Sequence, residues 1–276
     1  MLLKSPRWLF LAGKGQKEVE EVLLKIRRNS SEIQTEITEM NTVAQQTKND
    51  SGLKLFFSNN NFRRVVGLGV LLQVMQQFTG INMIFYYASK IFGMAGFEST
   101  TSQGWVTVFI GVVNIIACLA AIPFVDRKGR KPLLYYGYVG MTISMLLLSI
   151  VFYIGVTSLF IEILAIIAIL GFLITFAFSS GPVIWVLCAE IFPLHGRDFG
   201  LCVATCANWI SNFILALFFL SMLNAIGASN TFLVFTIFNF ICLFFIYFLL
   251  PETKGVSLES IEEKLSSGAS LRNIGE

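Results

Sequence analysis

Between residues 65 and 89 the chain carries no charged side chain, yet it holds Gln73, Gln76, Gln77, Thr79, Asn82, Tyr86 and Tyr87. A carboxamide is costly in an apolar interior unless its donor and acceptor are both engaged. Positions 73, 76 or 77, and 80 share one face of a helix, and Gly80 with Asn82 loosens the backbone ladder there. Two chemistries suit such a face. The amides can bond neighbouring helices together, or they can line a wet cavity for a ligand made of hydroxyl groups, which donate and accept as amides do. A single glutamine suits the first. A cluster of this size favours the second, with the Tyr86 and Tyr87 rings covering its outer mouth.

Related chemistry recurs downstream. Asn114 is an isolated amide in an apolar run, open to either reading. Ser179, Ser180, Gly181 and Pro182 interrupt another run, where proline removes a hydrogen bond and glycine permits bending, so a gate hinge is expected. Trp185 follows, and Phe176 precedes on a compatible face. An indole offers an apolar face to C–H groups and an N–H donor to a hydroxyl. Asn208 and Trp209 repeat the amide and indole pair, with Asn212 one turn on. Charges gather at the ends of the apolar runs: Asp126, Arg127, Arg130 and Lys131, then Glu190, Arg197 and Asp198. Both signs together allow ion pairs that tie helix ends in one state and release them in another; simple topology anchors are the alternative.

Other chemistries fit poorly. No ionisable residue falls near the middle of an apolar run, so the chain by itself offers no proton path. The one histidine, His195, falls in a loop. An intramembrane serine protease needs a Ser–His pair at depth, usually within Gly-x-Ser-x-Gly, and that motif does not occur. No catalytic residue is assigned. Cys202 and Cys206 share a helix face but lack a histidine or acid partner, so no metal site is expected. No basic stripe interleaved with aromatics suggests nucleic acid.

The elements that must hold these residues are membrane spans. The 276 residues are 55% hydrophobic and 13% charged, with 27 phenylalanines and a mean hydropathy of +0.72. A soluble domain carries roughly 25% charged residues. Apolar runs of about 20 residues cross a bilayer, and six are expected near 65–91, 105–125, 133–155, 162–188, 200–222 and 231–250, with a turn over 224–230. Of the 20 lysines and arginines, only Lys90 falls on one side of the resulting topology. The positive-inside rule then puts both termini in the cytoplasm. Residues 1–60 read as a cytoplasmic linker region with short helices over 16–28 and 31–46, residues 61–251 as the transmembrane domain, and residues 252–276 as a cytoplasmic tail with a weak helix over 258–265.

With these motifs in order, the chain resembles the sugar porter family of the major facilitator superfamily, in its bacterial proton-symporting branch. The resemblance rests on Ser5-Pro6-Arg7-Trp8, Gln76-Gln77-Phe78-Thr79-Gly80-Ile81-Asn82, Asp126-Arg127-Lys128-Gly129-Arg130-Lys131, Gly181-Pro182-Val183-Ile184-Trp185, Glu190-Ile191-Phe192-Pro193 with Arg197, Asn208-Trp209, and Pro251-Glu252-Thr253-Lys254. The residues before the first motif, Leu3 and Lys4, depart from the family pattern.

The resemblance implies an all-α membrane protein, the C-terminal six-helix half of a twelve-helix fold, preceded by short cytoplasmic helices and seated in the bacterial inner membrane. It reads as the product of a truncated or split frame. It further implies that Gln73, Gln76, Gln77, Asn82, Asn114, Phe176, Trp185, Asn208 and Trp209 bind or line a site for a monosaccharide such as galactose, xylose or glucose. Tyr86, Tyr87, Gly181 and Pro182 would gate that site, and Asp126, Arg130, Glu190 and Arg197 would form an inner lock. No cofactor is implied beyond the coupling proton, whose carrier belongs to the other half. A separate N-terminal half is the partner expected; a self-sufficient homodimer and a non-transporting remnant or sensor are the alternatives.

Overall fold

The computed structural model describes residues 16–26, 52–96, 99–193, 196–256 and 267–274, with a few single positions in the first fifty residues and four in 260–264. Ser5, Arg7 and Trp8 of the first motif, His195, most of 31–46, and Leu258 and Leu265 of the tail segment lie outside the described residues. The chain divides into two compact units, Met1–Lys54 and Leu55–Glu276. In the first, helix α1 (Gln16–Ile26) has Glu18 in its first turn and Lys25 in its last, matching the helix dipole. Its Val19, Val22 and Leu23 bury with Leu9, Ile33 and Ile37 in a small core of their own.

The second unit is a helical bundle. After α2 (Gly52–Ser58), helix α3 (Asn60–Phe78) starts at Asn59, whose side chain accepts from the backbone N–H groups of Asn61 and Phe62 at 2.9 and 3.2 Å. Such a cap satisfies amides that the first turn leaves open. The first expected span does not run on as one helix. It breaks at Thr79 and Gly80, continues as α4 (Ile81–Tyr86), and breaks again at Tyr87 before α5 (Ala88–Met94). Gly80 sits at φ +91°, a conformation that glycine adopts without steric cost.

Helices α6 (Thr100–Lys128), α7 (Arg130–Ile154), α8 (Leu159–Phe178) and α9 (Ser180–Ile191) follow. Within the expected Ser179–Pro182 stretch the helix breaks at Ser179, which separates α8 from α9. Pro182 occupies the first turn of α9, where a missing N–H removes no helical hydrogen bond. Close packing of α7 on α8 depends on small residues, as is general where lipid supplies no hydrophobic drive between helices. Gly137 faces Ser179, Gly140 faces Thr175, and Gly171 faces Ser144.

Helix α10 (Arg197–Leu249) is 53 residues long, which as a straight rod would span about 80 Å, well over twice a hydrocarbon core. Its only non-helical residue is Gly227, at φ 78° and ψ 168°. Phe219 and Phe235, equally far in sequence from Gly227, bring their ring centroids within 6.2 Å. In one continuous helix they would stand about 24 Å apart. The chain therefore reverses at Gly227, and α10 is two antiparallel spans, α10a (197–226) and α10b (228–249). Among the described residues, five helices are long and apolar enough to cross a membrane, and with this reversal they provide six crossings. Ser149 and Ser229 fix the returning span to α7, each hydroxyl donating to the other's backbone carbonyl at 2.8 and 2.9 Å.

The core gathers inner faces of these helices around Leu72, Tyr138, Phe172, Ile184, Phe219 and Phe235. Ile261 and Ile274 of the tail bury in the same core. Outer faces expose Ile115, Ile116, Leu119, Phe213 and Phe244, side chains that hydrocarbon solvates as well as a protein core does.

Candidate functional site

The break after α3 gathers the amides. Gln73 and Gln76 lie a turn apart on α3, and both offer their carboxamide oxygens to Asn208 of α10a, which donates at 2.7 and 2.9 Å. Gln77 donates to the Asn208 oxygen at 2.9 Å, and Asn82 of α4 donates back to the Gln77 oxygen at 2.8 Å. Gln76 also donates to the carbonyl of Ser180, at 2.8 Å, and more weakly to that of Gly181. One carboxamide cluster therefore joins α3, α4, α9 and α10a. Gln73, Gln76, Gln77 and Asn208 are buried, and Asn82 is half-buried at the edge.

This network has no net charge, and its members both donate and accept. Linked amides polarise one another in a low-dielectric setting, which strengthens each bond of the set. Its edge members, Gln77 and Asn82, can exchange an amide partner for a hydroxyl without leaving a buried group unpaired. Thr79 helps to hold the break: its hydroxyl donates to the carbonyl of Gln76 at 2.6 Å, one of the acceptors that the interrupted ladder frees.

The tyrosine pair sits at the far end of α4. The Tyr86 hydroxyl accepts from Asn212 at 3.0 Å, and that of Tyr87 donates to the Ala216 carbonyl at 3.1 Å. The Tyr87 ring stacks on Phe219 at 4.9 Å, while Tyr86 is largely exposed.

The other expected lining residues stand apart from the hydrogen-bonded cluster. Phe176 is buried, with its ring against Gly181. Trp185, one turn beyond Gly181 on α9, is 40% exposed. Trp209, adjacent to Asn208, is 61% exposed, because consecutive helical residues point about 100° apart. On α6, the Asn114 side-chain oxygen is buried and lacks a hydrogen-bond partner.

At the other end of the spans, Arg130 of α7 grips Glu190 of α9 through two hydrogen bonds, 2.6 and 3.1 Å. The Thr253 hydroxyl donates to the same carboxylate at 2.6 Å. Arg197 directs its guanidinium to the Phe192 carbonyl, at 3.0 and 3.1 Å, capping the end of α9. The side chain of Asp126 lies outside the described residues. Glu252 accepts from the backbone N–H groups of Arg130 and Lys131, both at 3.0 Å. Among the described residues, no group of three or more His, Cys, Asp or Glu side chains is arranged to hold a metal ion.

Sequence reading missed Asn239 and Tyr138. Asn239, fully buried on α10b, donates to the Thr79 carbonyl at 3.2 Å. Tyr138 of α7, also fully buried, meets the Ser180 hydroxyl at 3.3 Å. An amide flanked by Phe238 and Phe240 was a visible signal for the first. A tyrosine in an aromatic-rich helix carried none for the second.

Comparison with known proteins accords with this geometry. The family described as "Sugar (and other) transporter" matches residues 1–265. A galactose-proton symporter of Escherichia coli K12 is 49% identical over 271 residues, covering 98% of this chain and 58% of the relative. An arabinose-proton symporter of the same strain is 42% identical over 278 residues, covering 99% and 58%. Among solved structures, the proton:xylose symporter XylE bound to 6-bromo-6-deoxy-D-glucose superposes with a TM-score of 0.79 at 33% identity, covering 95% of this chain and 54% of that one. The chain thus spans little more than half the length of the relatives it matches, and its fold is that of the C-terminal six-helix half. It belongs to the sugar transporter family, the sugar porters of the major facilitator superfamily.

Proposed function

We propose that this chain is the sugar-binding, gate-bearing half of a proton-coupled monosaccharide carrier of the bacterial inner membrane. The observation that carries the reading is the carboxamide cluster of Gln73, Gln76, Gln77, Asn82 and Asn208 at a broken helix. Amides match sugar hydroxyls in both donating and accepting. Broken spans at mid-membrane are where carriers bind substrate.

In this reading a galactose-, xylose- or glucose-like ring takes hydroxyl contacts from Gln76, Gln77, Asn82, Asn114 and Asn208. Gln73, Phe176, Trp185 and Trp209 line the site. Tyr86 and Tyr87 close the outer mouth, while the Ser179 break with Gly181 and Pro182 bends the inner side. Asp126, Arg130, Glu190 and Arg197 hold the inner ends together. The two halves rock about the sugar, and both ends of the chain face the cytoplasm. Proton coupling falls to an N-terminal half, because no Asp, Glu, His, Lys or Arg lies at depth in these spans.

Proteoliposome uptake tests the proposal. The chain is reconstituted alone and with the N-terminal half of a related symporter, and uptake of labelled galactose, xylose and glucose is followed with and without an inward proton gradient. Uptake of at least one sugar, driven by the gradient and requiring both halves, is the expected result. Equal uptake by the chain alone would point to a homodimer. No uptake in either preparation, together with no sugar-dependent change in tryptophan fluorescence, would rule the reading out.

A further inference from the structure

The two short breaks that bound α4 are both held by α10. At the first, the Thr79 carbonyl receives a hydrogen bond from Asn239 at 3.2 Å. The same carboxamide nitrogen donates to Phe235, one turn back on α10b, at 2.8 Å. Phe235 itself sits under Gly80, so close that a methyl group there would come within 2.9 Å of its ring. At the second break, Tyr87 stacks on Phe219 and donates to the Ala216 carbonyl. Phe219 and Phe235 pack on each other across the Gly227 reversal. Helix α4 is thus a short rod strapped at both ends by one hairpin.

The strap at Asn239 is unevenly built. Its side chain is fully buried, and its oxygen has no hydrogen-bond partner, an arrangement that burial penalises. A leucine of similar size would avoid that penalty, so packing alone gives no reason for an amide here. The donor side of the group gives one. In a continuous helix the Thr79 carbonyl would accept from the backbone N–H four residues on. Here that group, the Met83 N–H, turns to the Gly80 carbonyl at 3.1 Å, which also takes its regular helical bond from the Ile84 N–H at 3.2 Å. Asn239 takes up the acceptor that the bend releases. A straightened span would reclaim that carbonyl and expel the amide.

We propose that Asn239 is a positioning residue, a latch that stabilises the bent form of the span at Thr79–Gly80 and so sets where Asn82 and the tyrosine pair stand relative to the carboxamide cluster. The latch is a property of the fold. Only its effect on sugar handling rests on the transport reading above.

The test compares the full chain in detergent with Asn239→Leu and Asn239→Ser, using backbone hydrogen exchange and thermal unfolding. Serine retains a local bond to the Phe235 carbonyl, as Thr236 does to Phe232 at 2.9 Å, but is too short to reach Thr79. Both variants are expected to raise exchange about tenfold or more across 80–87, while α7 and α8 keep their protection. The leucine variant is expected to hold or raise its melting temperature, since it also removes the unpaired oxygen. Unchanged exchange across 80–87 would overturn the latch, as would a uniform rise in every helix with a lower melting temperature. Should leucine not fold, the serine variant alone decides by the same two outcomes. Sugar binding by the reconstituted carrier is read separately. A shift in KM with maximal uptake held links the latch to the site; altered exchange with no uptake in the wild-type carrier would sink the transport reading and leave the latch standing.

Discussion

Arg130 and Glu190, sixty positions apart in sequence, form a two-point ion pair that ties the start of α7 to the end of α9. The side chains are only 12% and 21% exposed, so solvent screens them less than a surface pair. Hydrogen bonds to charged groups in such settings contribute about 1.5–3 kcal/mol. Arg130→Ala and Glu190→Ala should each lower stability by about that amount. The double variant should be less affected than the sum of the two, since one removal already destroys the contact. A thermal-unfolding cycle in detergent checks this; strictly additive losses would show that the pair is uncoupled.

The carboxamide cluster makes a functional prediction. Gln77 joins Asn208 to Asn82, the half-buried member at the edge of the network. Gln77→Ala in a complete carrier should reduce sugar uptake about tenfold or more, corresponding to about 1.4 kcal/mol. Unaltered uptake kinetics for every sugar tested would remove the cluster from the binding site.

Gly227 and Gly67 should respond in opposite directions to the same substitution. Neither has a neighbour within 4 Å of where a methyl group would go, so crowding does not separate them. Backbone conformation does. Gly227 holds φ 78° and ψ 168°, a region essentially reserved for glycine, and Gly227→Ala should cost about 1–3 kcal/mol. Gly67 lies inside α3, where alanine is preferred by roughly 0.5–1 kcal/mol. Paired melting curves in one detergent give the comparison, and equal shifts would argue against the reversal.

At the α7–α8 crossing, a methyl group on Gly137 would overlap Ser179. Overpacking of this kind costs about 1–3 kcal/mol. Gly137→Ala should therefore lower the melting temperature, and adding Ser179→Gly should restore much of the loss. A double variant no more stable than Gly137→Ala alone would mean that the strain is relieved elsewhere.

Much of the architecture was legible before any coordinates. Long uncharged runs report membrane spans because charge is excluded from hydrocarbon, and that signal is one-dimensional. The Asn224–Asn230 segment marked a turn because glycine and asparagine weaken helices, and the reversal falls at Gly227 within it. The glutamines at 73, 76 and 77 announced one polar face by their spacing. Arg130 and Glu190 were candidates for an ion pair because opposite charges had gathered at span ends.

Pairing was a different matter. A span facing lipid on one side and other helices on the other is apolar all round, so its pattern does not reveal which face is buried. Nothing in the order of residues tells Asn208 to meet Gln73 and Gln76, or Asn239 to take the Thr79 carbonyl. Those bonds join positions more than 130 residues apart and exist only because the Gly227 reversal brings two spans against one broken helix. The amino-acid sequence determined that amides would be buried in a membrane. Tertiary packing decided which partners they found, because a hydrogen bond is short and directional whereas hydrophobicity is neither.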